Sequence, residues 1–305
     1  MTPKNWTEAA LSEDPAVAVL QRLGYVYVPP EKLEAERETF KEPILAGRLR
    51  RAVERLNPHL TSDNVGRAVR SITHAAGTSL GEVNQALHVA ITHGVTVQQD
   101  MGHGVQGQTV RFVDFDDPGK NDLVVTRQFK VKGATKHIIA DAVVFVNGLP
   151  LAVLELKNPT LGDAWLHDAV DQLLRYQEAT EGYRDQGAPQ LFNTVQLLVA
   201  ACGQRAAYGT VGTPQRFFAE WKTPYPALVE EVAAAVGRQP TPQDVALWGL
   251  FQPANLLDIV RSFVVYEKDP KASRVIHKLP RYPQFLAVNK AVSRIKGARK
   301  PDERG

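Results

Sequence analysis

Cysteine is almost absent: Cys202 stands alone in 305 residues, so no disulfide can form within the chain and a cysteine-rich zinc site is excluded. It closes the largely apolar run 195–202, the setting of a buried, inert thiol. Histidine offers no metal motif either. The eight histidines include no His-Glu-x-x-His, and His88 and His93 are five apart. No run of eighteen apolar residues and no signal peptide is present, so the expectation is a soluble, cytoplasmic protein without a membrane partner. A Gly-x-x-x-x-Gly-Lys-Ser/Thr loop, which would cradle nucleotide phosphates, is also missing. Charge of one sign is scarce as well. The net +3 does not by itself announce a nucleic-acid partner, but residues 268–300 carry ten Lys or Arg against one acid, Asp269, a basic patch or arm.

What is there begins with hydrophobic content of 44% over a length above the usual single-domain size, enough for a sizeable core in one large domain with appendages or in two domains. The chain is organised around residues 138–157, an apolar run whose only charges are Asp141, Glu155 and Lys157. β-Branched and aliphatic residues fill both halves, and Asn147-Gly148 between them is a hairpin signal because both residues tolerate positive φ. Two buried strands follow. Unpaired charge is rarely tolerated in such strands, so the two acids and the lysine need a partner.

A divalent cation fits that need. Mg²⁺ takes oxygen ligands, usually one or two carboxylates with waters and a phosphate oxygen, and Asp141 and Glu155 are candidate ligands. Lys157 follows Glu155 by two residues, so the pleat places both on one face, where the ammonium can orient or deprotonate an attacking water and offset transition-state charge. Register supplies a test. A plain two-residue loop at Asn147-Gly148 puts Asp141 across from Leu154, on the face opposite Glu155; an odd loop or a bulge brings the two acids together. The alternative for this trio is a structural ion pair at a strand end. Glu220-Trp221-Lys222 and Asp269-Pro270-Lys271 also fit the spacing, but lack an acid-bearing apolar strand upstream and read as surface charge.

Elsewhere, residues 12–23 read as a helix with Ser12 as N-cap, and 25–28 as a short strand. Glu13 is either a third acid near the metal or a first-turn acid favoured by the helix dipole. Residues 31–56 have the spacing of an amphipathic helical hairpin interrupted at Pro43 and Gly47, and 64–75 and 81–93 of two more helices. Strands are expected at 95–99, 110–115 and 123–131, with Asp114, Asp116, Asp117 and Asp122 as turn residues, so that with the hairpin and 195–202 a mixed sheet of five or six strands forms. Residues 163–179 form a helix on which Gln172 and Tyr176, four apart, share a face as surface residues or as contacts to a phosphate or water at the site. Residues 208–212 are a glycine-marked loop, and 244–266 a helical pair split at Pro253.

An aspartate followed by Glu-x-Lys on the next strand resembles the PD-(D/E)xK nucleases. More specifically, Leu56-Asn-Pro58, Val113-Asp-Phe-Asp116, Asn121-Asp122, Gln128-Phe129, Asp141, Leu154-Glu-Leu-Lys-Asn-Pro-Thr160, Gln172-Leu-Leu-Arg-Tyr176, Tyr208-Gly209 and residues 257–267 resemble the N-terminal part of the R (restriction) subunit of type I restriction-modification enzymes. The resemblance implies an α/β fold, a PD-(D/E)xK restriction-endonuclease-like mixed β-sheet flanked by helices, with helical N-terminal and C-terminal additions. It implies Mg²⁺-dependent hydrolysis of unmodified double-stranded DNA, with Mn²⁺ as substitute. Asp141, Glu155 and Lys157 would be catalytic, Asp141 and Glu155 the metal ligands, and Gln172 and Tyr176 an auxiliary DNA-engaging pair. Glu13 matches the family's first-helix acid only loosely, because Pro15 disturbs the pattern.

Partners implied by the resemblance are DNA and the methyltransferase (M) and specificity (S) subunits. Arg281-Tyr-Pro-Gln284 resembles the segment before the family's ATP site, with Gln284 at an incomplete nucleotide motif, so ATP belongs only to a full-length subunit. The expected organisation is an N-terminal helical layer over 1–60, an endonuclease core over 61–222, a helical connector over 223–280 and the start of a truncated helicase-like domain over 281–305. Two alternatives remain: a catalytically inactive nuclease fold that docks DNA or the methyltransferase, and a stand-alone PD-(D/E)xK nuclease.

Overall fold

The computed structural model describes residues 7–102, 104–269 and 275–297. Its centre is a six-stranded mixed sheet in the order β1 (Val26–Tyr27), β4 (Leu123–Lys132), β5 (His137–Val146), β6 (Leu149–Leu156), β7 (Leu197–Ala201) and β8 (Ala206–Gly209). β1 with β4 and β6 with β7 run parallel, the other neighbours antiparallel. The helices are α1 (Asp14–Arg22), α2 (Pro30–Ala35), α3 (Ala46–Leu56), α4 (Ser62–Thr73), α5 (Leu80–His93), α6 (Trp165–Tyr176), α7 (Val229–Val236), α8 (Pro242–Phe251), α9 (Pro253–Asp258) and α10 (Tyr282–Gly297). Two antiparallel hairpins stand apart from the sheet, β2 (Val95–Asp100) with β3 (Val105–Val110) and β9 (Val265–Lys268) with β10 (Val275–Lys278).

Alternation sorts the sheet's side chains between two large cores, with a smaller third cluster where Trp165, Ala169 and Val170 of α6 pack on Ala200 and Ala207. On one face Ala142, Val144, Val146 and Leu154 pack with Leu20, Leu49, Val69, Leu87, Leu250 and Leu257 from the N-terminal and C-terminal helices. On the other, Val143, Phe145 and Val153 pack with Leu33, Leu173 and Phe192. The C-terminal helices close back on the N-terminal segment and the sheet: the Tyr25 hydroxyl donates to Phe251 O at 2.9 Å, and the buried Gln243 donates to Ser12 O at 3.4 Å and accepts from Gly203 N at 2.6 Å.

The central hairpin forms as its sequence dictates. Asn147 (φ 52) and Gly148 (φ 81) make the two-residue turn, and Asn147 is tied down on both sides, accepting from Asp122 N at 2.8 Å and donating to Phe112 O at 2.9 Å. The helices α4 and α5 start at Thr61 and Ser79, whose hydroxyls accept from Asn64 N and Glu82 N. Asp114 behaves as the turn residue its composition implied, accepting from Asp116 N and Asp117 N. Cys202 is free and buried.

Several expectations are corrected. The six-stranded sheet exists, but residues 95–99 pair with 105–110 in the separate hairpin, and 111–115 form no strand; the outer places are taken by β1 and by β8, which occupies what glycine content suggested was loop. Local pattern cannot choose between a strand's potential neighbours. Residues 31–56 form two helices, α2 and α3, with the expected interruption around Pro43, whereas Gly47, the other expected break, lies inside α3. Ser12 is not a cap: a π-helical turn, Ala9–Glu13, precedes α1 and buries Ser12 against Gln243. Of the basic stretch, Lys271, Arg274, Arg299 and Lys300 lie outside the described residues, as does the Lys271 end of the third acid-to-lysine spacing.

Candidate active site

The turn holds only two residues, yet the acids meet. Val146 faces Leu149 and Phe145 faces Pro150, then the register shifts so that Val144 faces Ala152 and Ala142 faces Leu154. Leu151 is the extra residue of a bulge. Continued by one step, this register sets Asp141 opposite Glu155, so the bulge, and not a longer loop, resolves the parity conflict.

Asp141 is 8% exposed and Glu155 fully buried. One Asp141 oxygen accepts from Leu156 N at 2.8 Å. Lys157 donates to Glu155 Oε1 at 2.6 Å and to Gln172 Oε1 at 2.9 Å; Gln172 Nε2 donates to the Tyr176 hydroxyl at 2.7 Å, which donates to Ile139 O at 2.9 Å. A continuous hydrogen-bonded chain therefore runs from the backbone of β5, through α6, to the carboxylate on β6. Gln172 and Tyr176 are not stray surface polarity.

Electrostatics single out Glu155. Burial, and then the neighbouring Asp141, push its carboxyl well above the usual range, while Lys157 pulls the other way. Burial weakens the Lys157 ammonium, but Glu155 and Asp141 outweigh it and leave the lysine above its ordinary value, a cation at neutral pH. Burial, aided by Glu155, pushes Tyr176 up to about 12, so it remains a hydroxyl. The second Glu155 oxygen is buried without a hydrogen-bond partner. Such an atom is costly as it stands and suited to a cation.

The donor set consists of hard carboxylate oxygens, one of them orphaned, beside a cationic donor. It fits Mg²⁺ or Mn²⁺ bound through two carboxylates with its remaining positions open. Among the described residues no group of three or more His, Cys, Asp or Glu side chains gathers to enclose a metal. Glu13 stands near enough to Asp141 to feel its charge, but its Oε2 accepts from Arg127 Nε at 3.0 Å and Gln128 Nε2 at 3.2 Å. Burial raises the Glu13 carboxyl, with Arg127 opposing and Asp141 reinforcing. Gln284 is not part of this cluster: it accepts from Arg281 N at 2.7 Å and lines a cavity of about 770 Å³ with Thr210, Phe217 and His277.

Sequence reasoning missed Glu8, whose carboxylate accepts from Asn158 N at 2.9 Å and acts on Lys157, and Arg127, which pairs with both Glu13 and Asp14. Neither sits in a motif. The bland reading of Glu220 and Lys222 holds: they form an exposed ion pair at 3.0 Å.

The chain matches the family model of the type I restriction enzyme R protein N terminus over residues 5–217. It is 34% identical over 281 residues to the type I restriction enzyme HindI endonuclease subunit of Haemophilus influenzae, covering 90% of this chain and 25% of that protein. It is 26% identical over 305 residues to the putative type I restriction enzyme MjaIXP endonuclease subunit of Methanocaldococcus jannaschii, covering 92% of this chain and 27% of that one. The chain thus spans about a quarter of the length of these curated relatives. A family match over most of the chain, together with that identity, makes this chain a member of the type I restriction enzyme R protein N-terminal family.

Proposed function

We propose that this chain is the endonuclease part of a type I restriction enzyme R subunit, a PD-(D/E)xK-type nuclease hydrolysing phosphodiester bonds of unmodified double-stranded DNA with Mg²⁺. The observation that carries the reading is the convergence of Asp141, Glu155 and Lys157 in one buried cluster, tied to Gln172 and Tyr176. Asp141 and Glu155 would hold the cation. Bound there, it would supply Lewis-acid polarisation of the phosphodiester. Glu155, whose carboxyl is raised by burial, would hold the cation in its ionised form, with Lys157 remaining hydrogen-bonded to its Oε1. Lys157, charged and anchored by Gln172 Oε1, donates a hydrogen bond where the pentacoordinate phosphorus develops negative charge and orients the attacking water. Tyr176 holds Gln172, and through it the lysine.

The partners in this reading are DNA, the M and S subunits, and, in a full-length subunit, an ATP-driven motor. The test is plasmid cleavage by the assembled complex carrying Asp141→Ala or Lys157→Ala in its R subunit. Each substitution is expected to lower cutting by about a hundredfold or more, with complex assembly and thermal unfolding retained. Cleavage at the native rate by either variant refutes the assignment.

A further inference from the structure

The ladder between β4 and β5 pairs Arg127 with Ala142 and Phe129 with Ala140 but skips the pair between them, Gln128 and Asp141. At the gap Gln128 has φ 50, a left-handed conformation in mid-strand for a residue with a side chain. In/out alternation reverses there on both strands. Ala142 and Val144 belong to one core, whereas Ala140 and Ile138, which regular alternation would place with them, belong to the other; likewise Val125 lies in the first core and Phe129 and Val131 in the second. The pleat is therefore broken at the position of the metal-ligand candidate. Strained backbone of this kind persists only where its surroundings enforce it.

The break has a chemical result. Gln128, out of the ladder, directs its amide to Glu13 Oε2, and the adjacent Arg127 donates to the same oxygen at 3.0 Å from Nε and 2.9 Å from Nη2. Glu13 is 5% exposed and near enough to Asp141 that the aspartate's charge raises its carboxyl. Three donors from two consecutive residues thus hold one carboxylate from the first helical segment beside the ligand on β5.

We infer that Gln128 is a positioning residue: by leaving the sheet at Asp141 it holds, together with Arg127, the Glu13 carboxylate where its charge reaches Asp141 and so the cation site, without Glu13 joining Asp141 and Glu155 as a ligand. The inference rests on the metal-dependent reading above. Glu13 is the group that acts on the cation, and Gln128 acts only through it.

Calorimetric titration of Mn²⁺ into the 305-residue chain tests this with Gln128→Gly, Gln128→Ala, Glu13→Gln and the double variant Glu13→Gln/Gln128→Gly. Glycine and alanine both remove the amide, but only glycine accepts the left-handed backbone. Both are expected to weaken Mn²⁺ binding by about tenfold, with the Tm of the glycine variant at or above native and that of the alanine variant below it. Glu13→Gln is expected to weaken binding at least as much, and Gln128→Gly to have no further effect in its presence. Native affinity in Gln128→Gly or in Glu13→Gln, or an equal loss from Gln128→Gly in both backgrounds, overturns the inference. Asp141→Ala separates the two readings. If it abolishes binding while Gln128→Gly leaves it native, the metal site stands and the positioning role falls; no binding by the native chain, or unchanged binding by Asp141→Ala, overturns both.

Discussion

Glu155 is a fully buried carboxyl beside a second acid, with one oxygen lacking a hydrogen-bond donor. Its raised pKa means that the metal-free fold retains a proton the unfolded chain has lost, so this group's contribution to stability falls as pH rises from the ordinary carboxylate range through the raised folded value. Glu155→Gln, neutral at all pH, is therefore expected to gain stability relative to the native metal-free chain as pH rises above the ordinary carboxylate range, with a higher unfolding midpoint at pH 7.5. Urea unfolding checks this, and an unchanged or lowered midpoint contradicts it. A cation binds the ionised carboxylate, so Mn²⁺ affinity should rise as pH climbs above the ordinary carboxylate range and proton release should accompany binding. Calorimetry in buffers of different ionisation enthalpy measures that release, and its absence would show that Glu155 is not a ligand. Lys157 was legible as a partner of Glu155 from period-2 spacing alone; its anchor Gln172 was legible only as a helix-face neighbour of Tyr176.

At the scale of elements, the β5–β6 hairpin decides whether a site exists. Its turn is clamped from outside: Leu45 N donates to Gly148 O at 2.9 Å, and a Cβ at Gly148 would stand 2.6 Å from Leu45 O and 3.0 Å from Leu49 N, in a φ of 81 that disfavours side chains. Gly148→Ala is expected to destabilise the fold by about 2–3 kcal/mol, since neither α3 nor the turn can retreat without loosening the other. Denaturant unfolding measures it, and a loss below about 0.5 kcal/mol would mean that the turn is free to move. The hairpin and its turn residues could be read from composition, and the need for a bulge or odd loop from parity. Which of the two occurs depends on this clamp and on the packing of both sheet faces.

The whole molecule is tied together by buried polar contacts between distant parts of the chain. His277 on β10 stacks on Tyr266 at 4.5 Å between centroids and lies 2.8 Å from the Thr210 hydroxyl, and the Tyr266 hydroxyl donates to Asn84 Oδ1 at 2.7 Å. Burial, with His88 adding, pushes His277 down to about 3. Its folded value lies below the unfolded one, so the stability of the neutral state is complete above about pH 6.5 and is lost as pH falls from there toward 3. At pH 5 the loss from this group is expected to be about 2 kcal/mol relative to pH 7.5, and His277→Gln should remove that part of the pH dependence in paired unfolding titrations. Identical slopes for both proteins would contradict it. By itself the sequence determined that two apolar strands carry three charges and that a helix with Gln172 and Tyr176 follows, because these depend on neighbours within a few positions. Only the tertiary structure decided that β1 and β8 complete the sheet, that Leu151 bulges, and that Arg127 and Gln128 reach Glu13 across more than a hundred positions. A one-residue change in register reverses every side chain of a strand, and what selects the register is packing between segments that no local pattern brings together.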